Sequence, residues 1–419
     1  MLDLILDILS VPAILVGLIA LIGLLLQKKS ASDVLKGTIK TILGFLVLSG
    51  GADIAVGALS HFGTMFQEAF NVQGVVPHNE AVVAMALETY GTSTALIMAF
   101  GMLANILIAR YTKLKYIFLT GHHTLYMAAM IAVILVVAGL QGAPLVIVGS
   151  IILGFVMAFF PAIAQPTMRK ITGTDDVGFG HFGTTGYVLS AWVGKMVGKD
   201  SQSTEEMEFP QGLGFLRDSS VAISLVMGVF YIIVAIASGS EFVNTLSGGQ
   251  NFILFAILQA ITFAAGVYVI LQGVRLILAE IVPAFRGISE KLVPDAKPAL
   301  DCPVVFPYAP NAVLIGFLAS FLGGIVGMLI LVGLKTTIIL PGVVPHFFCG
   351  ATAGVFGNAT GGKKGAFWGA FAHGLLITFL PVLLMPVLGD LGFANTTFSD
   401  ADFGVVGIIL GNIAKLFIK

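Results

Sequence analysis

PALDCPVVFPYAPNAV, residues 298–313, sets one aspartate, Asp301, between two strongly apolar regions and follows it with Pro303, Pro307 and Pro310. Proline has no backbone N–H and its ring clashes with the preceding helical turn, so this segment is not a plain continuous helix. In a bilayer, irregular backbone survives only where protein buries it or where it lines a cavity. An ionisable group at such a place marks a functional site. Asp301 is therefore the first candidate, and its surroundings are a candidate re-entrant hairpin.

The rest of the composition places that segment in a membrane. Of 419 residues, 57% are hydrophobic and only 10% are charged, where soluble domains carry about 25% charged residues. At about 20 residues per span there is room for ten or eleven helices. Formal net charge is -1, and no basic patch or nucleotide fingerprint points to nucleic acid. Cys302 and Cys349 lie far apart with no metal-ligand spacing, so two free buried thiols are expected and no metal or cofactor is read. The start, MLDLILDILSVP, is amphipathic and acidic, unlike a cleavable signal. Lys419 directly follows an apolar segment, so a single membrane-embedded domain over residues 1–419 is expected.

Eleven apolar segments fall at about residues 12–27, 41–59, 93–109, 116–140, 145–164, 221–237, 252–278, 312–334, 338–355, 366–388 and 405–418. The longest hydrophilic region, 165–218, contains VGFGHFGTTGYVLSAWVGK, too apolar for a free loop and too glycine-rich for a plain span, which reads as re-entrant. Lysines and arginines cluster in alternate connections, whereas GLQGAP, SGSEFVNTLSGGQ and DLGFANTTFSDADF carry none. The positive-inside rule then puts the N-terminus outside and the C-terminus in the cytoplasm. Residues 48–70 line up with residues 271–293 at an offset of 223, and the alignment continues until Glu80 falls within one residue of Asp301. The segments before the two copies cross in opposite directions, which makes an inverted repeat, an architecture that holds transported solutes near the midplane with interrupted helices. The expectation is an all-α polytopic membrane protein of about eleven transmembrane helices with two re-entrant hairpins in an inverted repeat. Repeat one covers about 12–165, a re-entrant connection about 166–218, repeat two about 221–400 and a last span about 405–418.

Few residues in these segments can do chemistry. Glu80 and Asp301 either cap short helices or offer carboxylates to a polar solute, and Asn79 adds an amide that both donates and accepts. His122, in YIFLTGHHTLYMAAM, shares a helix face with Tyr126 four residues on, while His123 points elsewhere and reads as structural. His181, in GFGHFGTTGY with Thr184 and Thr185, sits where glycines let backbone approach a ligand. Arg275 and Glu280 read as a structural ion pair or an interface. Gly-rich GVFGNATGGKKGA lacks the Walker spacing, so its two lysines mark a turn. No nucleophile triad or metal cluster is legible.

Taken together, SDVLKGTIKTILGF, YIFLTGHH, QGVRLILAE, AFRGIS, ALDC, APNAV and LPGVVPHFFCGATAGVF resemble the membrane component, enzyme IIC, of the ascorbate-type bacterial phosphotransferase system. The similarity extends over nearly the whole chain and is most specific over residues 272–313. The resemblance implies a homodimer in the bacterial cytoplasmic (inner) membrane, with eleven spans per protomer divided between a substrate-holding core and a dimer-forming scaffold. It implies translocation of L-ascorbate or a related sugar acid, sugar or polyol. The transported solute is phosphorylated by a separate cytoplasmic IIB protein that IIA charges, so the chain is not an enzyme by itself. Family ligand contacts come from the Gly-His motif, here Gly121 and His122, and from the aspartate of the ALDC-like motif, here Asp301. A further pair, Thr-Tyr in the ascorbate transporters, aligns with Asn79 and Glu80; a glutamine four residues beyond the histidine is here Tyr126. Another glutamine, directly after the Gly-His of the re-entrant stretch, aligns near Phe182, beside His181. The competing reading is an ion-coupled secondary transporter with Glu80 or Asp301 as its coupling site.

Overall fold

The computed structural model describes residues 11–71, 74–207, 218–389 and 396–417; the side chains of Glu80 and Arg286, among others, lie outside that description. Readings that fall on residues 1–10, on 208–217 including Arg217, on 390–395 of the last base-free connection and on Lys419 also lie outside it.

Helix α1, Pro12–Leu26, leads into α2, Ala31–Phe70, whose 40 residues start where the Ser30 hydroxyl accepts the Asp33 N–H at 3.1 Å. A side-chain oxygen there pairs an amide that the first helical turn leaves without a partner. Then come α3, Asn79–Tyr111; α4, Gly121–Val137; α5, Gly142–Thr172; and α6, Thr184–Val197. The second half opens with α7, Ser219–Ser238, and α8, Ser240–Leu246, bent by 111° at Gly239. Helix α9, Phe252–Lys291, again has 40 residues and is capped by Asn251. It is followed by α10, Pro310–Gly333; α11, Ala351–Leu384, entered through a helical turn at Val343–Pro345 and a π turn at His346–Gly350; and α12, Ala401–Phe417. Among the described residues six helices are long and apolar enough to cross a membrane, or seven if the bent α7–α8 pair is one span. The segments expected at 338–355 and 366–388 lie on one helical run, broken by non-helical backbone at Gly361 and Gly362.

The outer faces of these helices are those of a multi-pass membrane protein. On α5, Ile147, Ile151 and Phe155 recur every four residues and stand open, and on α7 Leu225, Val229, Ile233 and Ile236 do so at spacings of three or four. Contiguous apolar stripes of that size on a water-facing surface would be a liability; against lipid they cost nothing.

Short strands connect the helices, and each is paired by the opposite half of the chain. Strand β1, Val76–Pro77, pairs in parallel with β5, Thr396–Thr397, and bridges from Val75 to Ile339 on its other side. Strand β4, Lys297–Leu300, lies between β2, Tyr116–Phe118, and β3, Gly178–Phe179, again in parallel. The strand that follows each 40-residue helix is thus flanked by segments of the other half, β4 by two strands and β1 by one strand and a single bridge. In each half a 40-residue helix leads into a short strand, and the last strand, β3 or β5, leads into a closing helix, α6 or α12. The buried Asn105 amide completes one edge, donating to Tyr116 O at 3.1 Å and accepting from Phe118 N at 3.0 Å.

Helices α2 and α9 pack along one another, backbone against backbone, at small residues. A Cβ on Gly273 would lie 2.4 Å from Leu48 N, and one on Gly51 2.6 Å from Ile270 N. Close small-residue crossings of this kind are how apolar helices associate where water gives no driving force. The same seam corrects a sequence expectation: Glu280 pairs with Lys40 of α2 at 3.2 Å rather than with Arg275, which is exposed. Beyond the C-terminal end of α9, Asp175 accepts from Arg169 at 2.7 Å, from Lys297 at 2.5 Å and from Gln165 at 2.8 Å, tying β4 to the end of α5.

Two outcomes follow from this packing. Gly273→Val forces the α2–α9 seam apart, and overpacking of this kind costs about 1–3 kcal/mol; a lowered thermal midpoint in detergent is expected, and an unchanged one would show that the seam yields. The Arg169 guanidinium, with Lys297 and Gln165, holds Asp175 well below the usual carboxylate range. A depressed folded-state pKa contributes stability that is present above the unfolded value and lost as pH falls through the folded one. Asp175→Asn therefore lowers the midpoint at neutral pH, and the gap from wild type closes only under strongly acidic conditions.

Candidate functional site

The ends of the five short strands meet around one cavity of about 580 Å³. Asp301 directly follows β4 and caps the 3-10 turn Cys302–Tyr308 through Cys302 N at 2.6 Å. The prolines after it act as the sequence implies, keeping the backbone in a tight turn until Pro310 opens α10. His122 stands on the first turn of α4, four residues beyond β2, and His181 two residues beyond β3. From the other sheet, Asn79 follows β1 at the start of α3, and Ser399 and Asp400 follow β5.

The polar atoms form two linked groups. In the first, His122 Nε2 is 3.4 Å from Asp301 Oδ2, and His181 Nε2 is 3.8 Å from Asp301 Oδ1. In the second, Asn79 Nδ2 donates to Asp400 Oδ2 at 3.1 Å while Asn79 Oδ1 accepts Ser399 N–H at 2.9 Å. Asp400 Oδ1 also accepts from the Ser399 hydroxyl at 2.6 Å and from the Cys349 thiol at 3.4 Å. His123 and His181 join the groups, their Nε2 atoms 3.7 and 3.9 Å from Asp400 Oδ2.

The imidazoles are held from behind. The Phe182 N–H donates to His123 Nδ1 at 3.4 Å, which puts the His123 proton on Nε2, facing Asp400. The Tyr187 hydroxyl lies 2.9 Å from His181 Nδ1. Asp402, on the first turn of α12, accepts the Thr184 and Thr185 N–H groups at 2.8 Å each and so caps α6, the helix that carries Tyr187. Such a cavity offers carboxylate and amide oxygens to hydroxyl donors, and imidazole N–H groups to an anionic or carbonyl oxygen.

Of the residues singled out from the sequence, Asn79, His122, Tyr126, His181 and Asp301 line this cavity. Tyr126 lies beside His122, ring centroids 5.7 Å apart, as their four-residue spacing implies. Gly121 opens α4, is buried and does not line the cavity. Thr184 is fully buried, does not line the cavity, and donates its hydroxyl to His181 O at 2.8 Å. Glu80 lies on the first turn of α3, but its side chain is outside the described residues.

Asp400, Ser399, His78 and Cys349 also line the cavity without having been singled out, and His123 lies on its wall rather than pointing away. A usable signal was present in SDAD, two acids with no base nearby directly before the last apolar helix, the same pattern that marked Asp301.

Comparisons with known proteins place the chain in a family. The model of the EIIC-GAT family, the PTS system sugar-specific permease component, matches residues 7–402. Over 410 residues the chain is 28% identical to the ascorbate-specific PTS system EIIC component of Mycoplasma pneumoniae (strain ATCC 29342 / M129 / Subtype 1). That match covers 85% of this chain and 62% of the relative, so the chain spans less than two thirds of that protein's length.

Asp402→Ala strips the acceptor from two buried amides, and a buried donor left unpaired costs about 1–3 kcal/mol each. A lower thermal midpoint is expected, with partial recovery in Asp402→Asn, whose amide oxygen still accepts one of them. Equal midpoints for Asp402→Ala and wild type would show that α6 is held otherwise.

Proposed function

The chain belongs to the EIIC-GAT family of sugar-specific permease components of the phosphotransferase system, and from that membership we propose that it translocates a small polar solute and delivers it for phosphorylation. Separate IIA and IIB proteins supply the phosphoryl group, which passes from IIB to a solute hydroxyl; the chain itself provides the binding site and the path. Phosphorylation traps the solute inside and makes uptake directional.

The observation that carries this reading is the convergence of Asp301, His122 and His181 with Asn79 and Asp400 around one cavity. Its size lies in the range of small-molecule sites, about 300–1,000 Å³. We read the solute as ascorbate or a related sugar acid. Its hydroxyls meet the Asp301 and Asp400 carboxylates, while its anionic oxygen meets imidazole N–H groups. His122 to Asp301 is longer than a usual N–H···O contact of about 2.9 Å, which leaves room for a solute oxygen to bridge them. Asn79 and Glu80 replace the family's Thr-Tyr pair, so this tip is where selectivity departs from that of the ascorbate transporters.

The architecture that goes with this reading has eleven spans, counting α1, α4, α12 and the halves of the run broken at Gly361–Gly362. The 79 and 301 tips are re-entrant and related by an inverted repeat within one domain. The N-terminus is outside and the C-terminus in the cytoplasm. The 40-residue helix leading into a short strand in each half supports the repeat, and the base-free connections support the orientation. The chain is expected to work as a homodimer, through apolar helix faces that the protomer leaves open.

Vesicle uptake tests the reading. Accumulation should require phosphoenolpyruvate together with the soluble IIA and IIB proteins and should yield phosphorylated solute. Uptake of unmodified solute that collapses with an uncoupler would replace it with ion-coupled secondary transport. In a binding assay with ascorbate, Asp301→Asn and His122→Ala should each weaken affinity at least tenfold while the thermal midpoint without solute is kept. Unchanged affinity in both would remove the Asp301–His122 pair from the site.

A further inference from the structure

Beyond binding a solute, the cavity wall carries a set of side chains with the chemistry of a transition-metal site. His181, Asp301 and Cys302 each direct one ligand atom to a common place, those atoms lying within 4.8 Å of one another. Two overlapping sets, His122–His123–Asp301 and His123–His181–Asp400, share the same wall. Three features decide between them.

The first is hydrogen bonding behind the rings. His123 Nδ1 accepts the Phe182 N–H, so its Nε2 carries the proton and has no lone pair for a cation. That disfavours both sets that contain it. His181 Nδ1 instead faces the Tyr187 hydroxyl at 2.9 Å, an oxygen able to accept Nδ1–H, and in that tautomer the Nε2 lone pair is turned toward the cavity. Metal-bound histidines are fixed in this way, by an acceptor on the other ring nitrogen.

Spacing is the second. His181 Nε2 and Asp301 Oδ1 are 3.8 Å apart, too far for a direct hydrogen bond. Around a tetrahedral zinc with bonds of about 2.0–2.1 Å, neighbouring nitrogen and oxygen ligands sit about 3.4 Å apart. A contraction of a few tenths of an ångström therefore converts this gap into a coordination edge. Ligand type is the third: one thiol, one imidazole and one carboxylate suit zinc or cobalt far better than magnesium or calcium. Three protein ligands with the fourth position open to a cavity is the layout of zinc sites that keep an exchangeable ligand.

We propose that His181, Asp301 and Cys302 bind one borderline-soft divalent cation, zinc being the natural occupant, with its fourth position facing the cavity. On binding, the Cys302 Sγ–H bond gives its proton to water and the thiolate takes the cation. The site has a consequence for transport that rests on the solute reading above. Asp301 and His181 are needed by both ligands, so the cation excludes the solute and blocks uptake.

Cobalt(II) titration of the purified full chain tests the site without any solute. Binding of one cobalt per chain should raise a near-ultraviolet thiolate-to-metal charge-transfer band, and zinc should displace it. The chain has only two cysteines, so the band is assignable. Cys302→Ala should abolish it, His181→Ala should weaken cobalt binding at least tenfold, and Cys349→Ala should leave both unchanged. No band in the folded wild-type protein, or a band that survives Cys302→Ala, overturns the proposal. Because no solute or partner protein enters these readings, their failure is distinguishable from a failure of the transport assignment. If the site forms, micromolar zinc should also lower solute affinity in wild type but not in Cys302→Ala.

Discussion

Strand ends in an apolar interior have no water to pair their amide and carbonyl groups, so another segment of the chain has to supply partners. This constraint shapes the centre of the molecule. The backbone leaving α2 at β1 is paired by residues 338–340 and by β5, and the backbone leaving α9 at β4 is paired by β2 and β3. The ladders extend past the strands themselves: Leu119 N–H donates to Ala299 O at 3.0 Å, Gly180 N–H to Leu300 O at 2.7 Å, and His78 N–H to Thr397 O at 2.8 Å. Neither half can complete its sheet alone. The exchange of one strand in each direction fixes where five strand ends arrive, and the polar side chains just beyond them meet around the cavity. The α2–α9 seam holds the two exchanged strands in step, since each follows one of those helices.

Much of this was legible because charge is scarce in the chain. An aspartate among prolines, or a histidine pair in an apolar run, stands out against 10% charged residues, and Asp301 and His122 were found in that way. The helices were legible for the same reason, as apolar runs ended by lysines or glycines. Other parts left no such trace. Strands of two to four residues are too short to show an alternating pattern, so no pairing could be read, and pairing is what brings residues 79, 122, 181, 301 and 400 together. Asp400 was hidden by its context: SDADF follows a polar connection and reads as its continuation, although Asp400 is almost fully buried. His123 misled through a sound rule. Adjacent residues on a helix do face apart, but His181 arrives from β3 and closes on the second face, ring centroids 3.9 Å from His123.

The site joins the two halves chemically as well as geometrically. Asp301 belongs to one tip and is approached by His122 and His181 from the first half; Asp400 belongs to the second half and is held by Asn79 from the first. A solute bound between the carboxylates would therefore bridge segments that are distant in sequence. Motion of one strand-exchanged unit against its surroundings would change its contacts. That arrangement suits a transported ligand better than a permanent one, because the acceptors sit on short turns rather than mid-helix.

The most direct test of this account is an experimental structure of the chain with ascorbate, or whichever solute a binding screen identifies, held in place. The account predicts solute density in the cavity between the two carboxylates, with oxygens within hydrogen-bond distance of Asp301 and His122 and with β4 lying between β2 and β3. Solute density elsewhere, or a β4 paired only within its own half of the chain, would contradict it.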